Sequence, residues 1–283
     1  MTTETMRAAT ARCYGGPEVM AIEALPRPVP RPGQLLVKVT AFGVTRGDAR
    51  IRGLDVPRGM GLMLRLVFGL TRPRRIIPGR EFSGAVAAIG PGVNGWAPGD
   101  PVMGITDGMR LGAGAALQPG ERLLVNGATG AVGAAALWIG AQTGAQVTAV
   151  ASPANHPFAL EQGAAQVADY TAPLPAGPYD VILDIAGTLP WDRAAPLLAP
   201  GGRLAMVTAD LSATLDAALR PTRNGKRLLA GMVKETPDAL NRALSFHAQG
   251  FRPVITTLPL DQIIEAHCLA SSGHKRGNVV VSL

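Results

Sequence analysis

The stretch Glu121 to Ser152, ERLLVNGATGAVGAAALWIGAQTGAQVTAVAS, decides how the chain is read. Leu123-Leu124-Val125 is a short buried β run, Gly127, Gly130 and Gly133 mark a turn, Ala134 to Thr143 favours helix, and Gln146 to Val150 is β again. Strand, glycine turn, helix and strand in that order make the first half of a nucleotide-binding α/β unit. A dinucleotide pyrophosphate needs bare backbone N–H groups at a helix N-terminus. Side chains at Gly130 or Gly133 would hold off the phosphates or the packed strand. The spacing departs from G-x-G-x-x-G because Ala128 stands in the first glycine position. Ala128, Thr129, Gly130, Ala131, Val132 and Gly133 are therefore the expected cofactor-facing turn.

The end of the second strand bears on which dinucleotide binds. An acid there holds the ribose 2′-OH of NAD, whereas this chain offers Ala151-Ser152-Pro153-Ala154-Asn155. No carboxylate repels a 2′-phosphate, and Ser152 and Asn155 can donate hydrogen bonds to one. NADPH is the expected cofactor, although the loop holds no Arg or Lys to sit beside that phosphate.

The whole chain, 283 residues with 47% hydrophobic content and a positive mean hydropathy, reads as globular and long enough for two modest domains. Its 35 glycines and 24 prolines fit many turns, and the Ala- and Arg-rich usage suggests a GC-rich bacterial source. The net charge is +7, densest from Arg46 to Arg80. There Arg58, Arg65, Arg72, Arg74, Arg75 and Arg80 surround Leu62-Met63-Leu64 and Leu66-Val67-Phe68, an apolar run too short and interrupted to span a bilayer. Without aromatic interleaving, this reads as a solvated basic rim on a substrate lid in preference to a membrane or nucleic-acid surface. Cys13 and Cys268 lie far apart with no metal spacing, and the N-terminal MTTETMRAAT has no apolar signal core. A cytoplasmic, disulfide-free protein is expected.

Upstream of the glycine turn, Met6 to Thr10, Gln34 to Ala41, Gly84 to Ile89 and Asp100 to Ile105 read as strands of a small antiparallel barrel, and the proline ladder Pro26 to Gly33 as an extended link. Downstream, strands at Gln166 to Ala168, Tyr179 to Asp184, Gly202 to Val207 and Arg227 to Val233 alternate with helices at Phe158 to Gln162 and Trp191 to Leu198. That alternation gives a parallel, doubly wound sheet. The tail carries helices at Asp238 to Gln249 and Leu260 to Ala270 and strands at Val254 to Thr256 and Asn278 to Val281. It has too little apolar surface to fold alone and is expected to return to the first unit. The expected fold class is thus α/β, a doubly wound parallel sheet plus an N-terminal barrel, with domains at 1–117 with 251–283 and at 118–250.

Several segments then fall in a recognisable order: Tyr14 to Val19, Gly43-Val44 with Asp48, Pro78 to Gly84, Val86 to Gly92, Pro98-Gly99-Asp100, the glycine turn, Gln162-Gly163-Ala164, Tyr179 to Gly187, Pro200 to Leu204, Arg252 to Ile255 and Ser272-Gly273-His274. In this order they resemble the zinc-free quinone-oxidoreductase branch of the medium-chain dehydrogenase/reductase superfamily, the group that includes zeta-crystallin. The resemblance implies a GroES-like antiparallel β-barrel domain, truncated here, and a Rossmann domain. It implies NADPH-dependent reduction of a small quinone or α,β-unsaturated carbonyl compound in the cleft between them. Zinc is not expected: Arg80 stands where the zinc-bearing branch places histidine, and the two cysteines supply no other ligand set. A homodimer through the Rossmann sheet edge, at Arg227 to Val233, is implied as well.

The resemblance also nominates site residues. Thr45 stands where the family commonly has Asn and can donate a hydrogen bond to a carbonyl. Asp55 stands where many members have Tyr, and an aspartate donates a proton at neutral pH only where burial raises its pKa. These two are the candidate catalytic residues. Tyr170 matches a family position near the adenosine phosphate, and Asn278 stands where relatives often carry Lys. From the strand order itself, Asp184 and Gly187 at the end of a parallel strand face the crevice at the switch point, and Thr208, ending the next strand, can reach the nicotinamide ribose or carboxamide. Asp48 is expected to cap a helix. None of the four histidines forms a triad with Ser or Cys.

One departure from the family is large. The chain passes from Val102-Met103-Gly104-Ile105 to Leu117-Gln118-Pro119-Gly120 through only Thr106 to Ala116, where relatives place several tens of residues that cover the nicotinamide end. An alternative reading is therefore a repurposed member performing non-redox chemistry, as a cyclase, isomerase or dehydratase on a natural-product intermediate. A third, motivated by the charge, is a non-enzymatic binding protein for RNA or an acidic partner.

Overall fold

A computed structural model describes residues 4–56, 59–106, 109–111, 115–234 and 236–283. The chain divides into two units, one of Met1–Val56, Gly61–Asp107 and Ile255–Leu283, the other of Pro57–Met60 and Gly108–Val254. In the first unit, β1 (Thr5–Ala11) and β2 (Met20–Pro26) form an antiparallel hairpin. β3 (Leu35–Val44) begins a run of small and apolar residues that pairs antiparallel with a later strand, and two helices intervene. The helix α1 (Arg46–Gly53) starts at Thr45, whose side chain accepts from Asp48 N while the Asp48 carboxylate accepts from Thr45 N, a reciprocal capping box. It stops at Leu54, which turns left-handed at φ 51°. α2 (Gly61–Phe68) follows and buries none of its residues. β4 (Glu81–Ile89) then lies between β3 and β5 (Pro101–Ile105), antiparallel to both.

The second unit opens with β6 (Met109–Leu111), followed by β7 (Arg122–Asn126), α3 (Ala131–Thr143), β8 (Gln146–Ala151), α4 (His156–Glu161) and β9 (Gln166–Asp169). Next come β10 (Tyr179–Asp184), α5 (Trp191–Ala194), β11 (Leu198–Met206), α6 (Leu211–Leu219), β12 (Thr222–Arg223), β13 (Lys226–Leu229), β14 (Met232–Lys234) and α7 (Pro237–Ala248). The main sheet has the order β12-β13-β11-β10-β7-β8-β9, all neighbours parallel except β12 with β13. Its six parallel strands, counted along the chain, read 3-2-1-4-5-6, which is the dinucleotide-binding order. Helices cover both faces, so strand residues one apart serve opposite cores. Leu124, Ile182 and Leu204 belong to one, Leu123, Val125 and Val181 to the other.

Arg227 to Val233, expected as one strand, is two. β13 pairs with β11, the chain breaks at Gly231 (φ 149°), and β14 pairs with β6. On that side the sheet ends in β12, turned back through Asn224 and Gly225 at φ 49° and 72°. Two residues with positive φ are what a tight hairpin requires, and Asn-Gly supplies them cheaply. Within the shortened Thr106 to Ala116 passage, 107–108 and 112–114 lie outside the described residues. The passage ends on Arg203, which donates to Ala115 O and to Ala116 O (2.8 Å) and grips Glu121 through two hydrogen bonds of 2.7 and 2.8 Å.

The tail returns to the first unit as β15 (Ile255–Pro259), α8 (Ile263–Ser271) and β16 (Asn278–Ser282). β16 runs antiparallel to β3, in register Val279 with Val44. β15 and β16 are parallel, so the five-stranded sheet β15-β16-β3-β4-β5 is not wholly antiparallel. A parallel pair needs a crossover, and α8 supplies it. Ile263, Ala266 and Ala270 of α8 join Ala9, Val44 and Val281 in the core of this unit. α7 stays with the second unit, where Trp138 meets Phe246 edge-on and Phe251 at a tilt. Among the described residues, no helix is long and apolar enough to cross a membrane.

Candidate functional site

The sheet order reverses between β7 and β10, and the chain brings the glycine turn there. Asn126 and Asp184, the last residues of those strands, are register partners, and Asn126 Nδ2 donates to Asp184 Oδ1 at 2.8 Å. Asp184 is fully buried. It also accepts from Gly187 N (3.0 Å) and Leu189 N (3.1 Å), while Asn126 Nδ2 reaches Thr188 Oγ1 (2.9 Å). Burial pushes the Asp184 carboxyl above its ordinary range, and these hydrogen bonds pull the other way. The result is a braced floor under the loop Ile185 to Leu189. Thr208 joins it from the end of β11, with Oγ1 donating to Ile185 O at 3.3 Å; a Cβ on Gly187 would come within 3.1 Å of Thr208 O.

The glycines divide the work of the turn. Gly127 takes the tight bend at φ 85°, so Ala128, the departure from the fingerprint, needs no special backbone and is fully buried. Both tie back to β8 through Val150 O (3.3 and 3.2 Å). A Cβ on Gly133 would lie 2.4 Å from Gly127 O and 2.5 Å from Ala128 C, so only glycine lets the first turn of α3 sit against the loop. A Cβ on Gly130 would meet nothing within 4 Å. Gly130 is the N-cap of thirteen-residue α3, with no side-chain cap and no acid in the first turn. The leading N–H groups and the positive end of the helix dipole are thus open to an anion. Thr129, Gly130 and Ala131 are part-exposed there, and Val132 is exposed.

After β8, Ser152 precedes a single helical turn, Pro153–Asn155, in which Pro153 and Ala154 are exposed. Tyr170 N donates to Ala151 O (3.3 Å), which sets this exposed tyrosine beside the loop. The same carbonyl is approached by His156 Nε2 at 3.3 Å. Sequence reasoning weighed His156 only as a triad member and missed it as the imidazole this loop offers beside Ser152 and Asn155. Its position directly after Asn155 was the available signal.

Thr45, Asp55 and Asn278 lie in the first unit. Thr45 Oγ1 donates to Asp48 Oδ2 at 2.6 Å and accepts from Asp48 N at 3.2 Å, so its one hydroxyl proton is engaged in the cap. Asn278 opens β16 one residue before the Val279–Val44 pair and is the register partner of Ile255 in β15. Asp55 is exposed and 3.5 Å from Arg46 Nη2; the burial on which proton donation would depend is not there. Three residues before Asn278, Lys275 donates to Gly277 O (2.8 Å), and burial lowers its pKa. Among the described residues, no three His, Cys, Asp or Glu side chains come together as a metal site.

Known proteins agree with this architecture. The family model of the alcohol dehydrogenase GroES-like domain matches residues 31–162, and that described as zinc-binding dehydrogenase matches 162–281. The chain is 24% identical to the chloroplastic quinone-oxidoreductase QR1 of Triphysaria versicolor, covering 99% of each chain. That alignment runs over 339 positions against 283 residues here, so more than fifty positions of the relative have no counterpart. The structure of the quinone oxidoreductase from Coxiella burnetii superposes with a TM-score of 0.81 at 22% identity, over 99% of this chain and 100% of that one. A mycobacterial protein in complex with NADPH superposes with a TM-score of 0.73 at 19% identity, over 99% and 100%. With its GroES-like and Rossmann folds, the chain belongs to the medium-chain dehydrogenase/reductase superfamily of oxidoreductases, in its quinone-oxidoreductase branch.

Proposed function

We propose that the protein is a cytoplasmic, zinc-independent reductase that uses NADPH on a small quinone or α,β-unsaturated carbonyl compound. The observation that carries this is the switch-point cradle, an uncapped α3 N-terminus behind a turn in which Gly133 has no room for a side chain and Gly130 faces open space. When bound, NADPH supplies the hydride, and conjugated carbonyls are its natural acceptors. The α3 N–H groups and dipole offset the pyrophosphate charge. Ser152, Asn155 and His156 of the acid-free loop after β8 are to meet the 2′-phosphate with Tyr170 from the end of β9, where the Asp169 carboxylate accepts from Thr171 N. Asp184 holds the Ile185 to Leu189 loop still, so that Gly187 and Thr208 border the nicotinamide end. On the substrate side, Thr45 donates to the carbonyl oxygen once its hydroxyl turns from Asp48. The donor set does not fit zinc, with Arg80 preceding Glu81 where a ligand pair would be needed, and no step is routed through a metal. The free thiols Cys13 and Cys268 suit a reducing compartment. The reading includes a homodimer through the sheet edge that carries β12 and β13.

The test is NADPH consumption with a panel of para-quinones and enones, following reduced-nicotinamide absorbance and product mass together. One equivalent of reduced product per NADPH oxidised is expected. Protein that binds NADPH yet oxidises none across the panel overturns the reading. The positions missing relative to QR1 favour one rival, non-redox turnover in a shortened chain. Product formed without cofactor consumption would establish it.

A further inference from the structure

The segment from Gly61 to Ile77 holds none of the residues assigned to that chemistry. α2 buries none of its residues, and Leu62 is 70% exposed, with Met63, Leu66, Val67, Leu70 and Ile77 also standing in solvent. Leu62 with Leu66, and Met63 with Val67, are spaced i,i+4, so they form adjacent ridges of one continuous apolar face. A solvated basic rim accounts for the arginines here but not for these side chains, whose exposure costs free energy unless something covers them.

The charge indicates what covers them. Between Val56 and Glu81 the sequence carries six arginines and no Asp or Glu; of these, Arg58 lies outside the described residues. Arg65 donates to Leu70 O (2.6 Å) and Arg74 to Val67 O (3.1 Å), contacts with neutral carbonyls that orient the guanidinium groups without cancelling their charge. Arg72 and Arg74 line an open cavity of about 590 Å³ with Arg12, Leu70, Pro73 and Ile76, and there Arg12 is already paired with Glu23.

We propose that α2 and the arginine-bearing loop after it dock on an anionic phospholipid surface. The leucine face enters the boundary between headgroups and acyl chains, and lipid phosphates meet Arg72 and Arg74 at the cavity. A helix lying in the membrane plane needs no spanning length, so the shortness that excludes a transmembrane segment does not count against it. A second copy of the chain is a poorer occupant, because a two-fold contact through this face would set its arginines against their own images. The proposal does not rest on the reductase reading, since it needs neither cofactor nor turnover.

Flotation of the full chain with vesicles of phosphatidylglycerol and phosphatidylcholine, against vesicles of phosphatidylcholine alone, tests it. We expect roughly 25-fold stronger partitioning to the anionic vesicles, about fivefold for each of Arg72 and Arg74, weakening as salt rises to about 0.15 M. The double variant Leu62→Gln/Leu66→Gln loses roughly tenfold, and Arg72→Gln/Arg74→Gln roughly fivefold per charge. All four side chains are exposed, so both variants should melt with the parent, which separates lost docking from lost folding. Inorganic phosphate at matched ionic strength should leave the vesicle binding unaltered. Equal or absent flotation with the two vesicle types, or binding that survives Leu62→Gln/Leu66→Gln, overturns the proposal. So does a dimer that this variant dissolves, or displacement of the vesicles by inorganic phosphate.

Discussion

Gly130 and Gly133 should respond in opposite ways to the same added methyl group. At Gly133 the methyl carbon would lie 2.4–2.5 Å from Gly127 O and from Ala128 C and O. These are main-chain atoms of the turn, unable to swing aside as the tip of a side chain can, so the helix or the turn must move. Overpacking costs about 1–3 kcal/mol, and three such contacts put Gly133→Ala near the top of that range. At roughly 2–4 °C per kcal/mol the melting temperature falls by roughly 6–12 °C. At Gly130 the methyl group meets nothing within 4 Å, and φ is −73°, open to any residue. Gly130→Ala should cost no more than about 1 kcal/mol, the penalty of alanine at a helix N-cap.

Cofactor reverses the ranking. NADPH at about 100 times its Kd adds roughly 2.7 kcal/mol to the parent, a rise of roughly 5–11 °C. Gly130→Ala fills the space before the α3 N-terminus through which the pyrophosphate is to approach, so it should forfeit most of that rise. Thermal unfolding of the three proteins by circular dichroism, with and without NADPH, reads both effects. A Gly130→Ala protein that keeps the full NADPH-dependent rise would refute the placement of the pyrophosphate, and a Gly133→Ala protein that melts with the parent would refute the packing argument.

Other perturbations carry equally definite signs. His267 is buried, and desolvation with the nearby Arg52 charge lowers its pKa from 6.5 to about 4. Between those values the unfolded chain binds a proton that the folded one does not, so this contribution is full above the unfolded pKa and lost as pH falls toward 4. Urea titrations should show about 3 kcal/mol lost over the interval, with that slope flattened in His267→Gln; an unaltered slope counts against it. Ser152→Asp places a carboxylate where a 2′-phosphate is expected and should weaken NADPH binding by roughly tenfold, about 1.4 kcal/mol, without weakening NADH in a fluorescence titration. Arg203→Met abandons Glu121, whose carboxyl Arg203 holds below its usual range, together with Ala115 O and Ala116 O; a loss of about 2–3 kcal/mol is expected in the same urea assay. Thr45→Ala removes the α1 cap at about 1 kcal/mol, and Thr45→Ser should restore it; equal stability of the two variants would show that the hydroxyl does not cap.

The strand, turn and helix of the cradle were legible because their determinants are local. Leu123 to Val125 is a short apolar run, and α3 keeps small residues where it meets the sheet: a Cβ on Gly140 would come within 2.7 Å of Val147 Cγ2. The capping of α1 by Thr45 and Asp48 lies within four residues and was equally readable for Asp48. Arg227 to Val233 misled because β propensity is continuous across it. Only the choice of partner strands, β11 for one half and β6 for the other, shows that Gly231 divides it. The parallel β15–β16 pair was hidden because parallel pairing depends on a crossover and not on the pattern of either strand. His156 was passed over because its nearness to Ala151 O arises from a bend in the chain and not from a spacing.

By itself, then, the sequence determined the α/β class, the cofactor turn, the acid-free loop after β8, the lack of a spanning segment and the family, since each depends on residues close in the chain or on their order along it. Tertiary structure decided the rest. It buried Asp184 against Asn126 as the brace of the switch point, split Arg227 to Val233 between two partner strands, and left the leucines of α2 in solvent. Burial and partner choice depend on which distant segments close over a residue, and no local pattern of side chains carries that information.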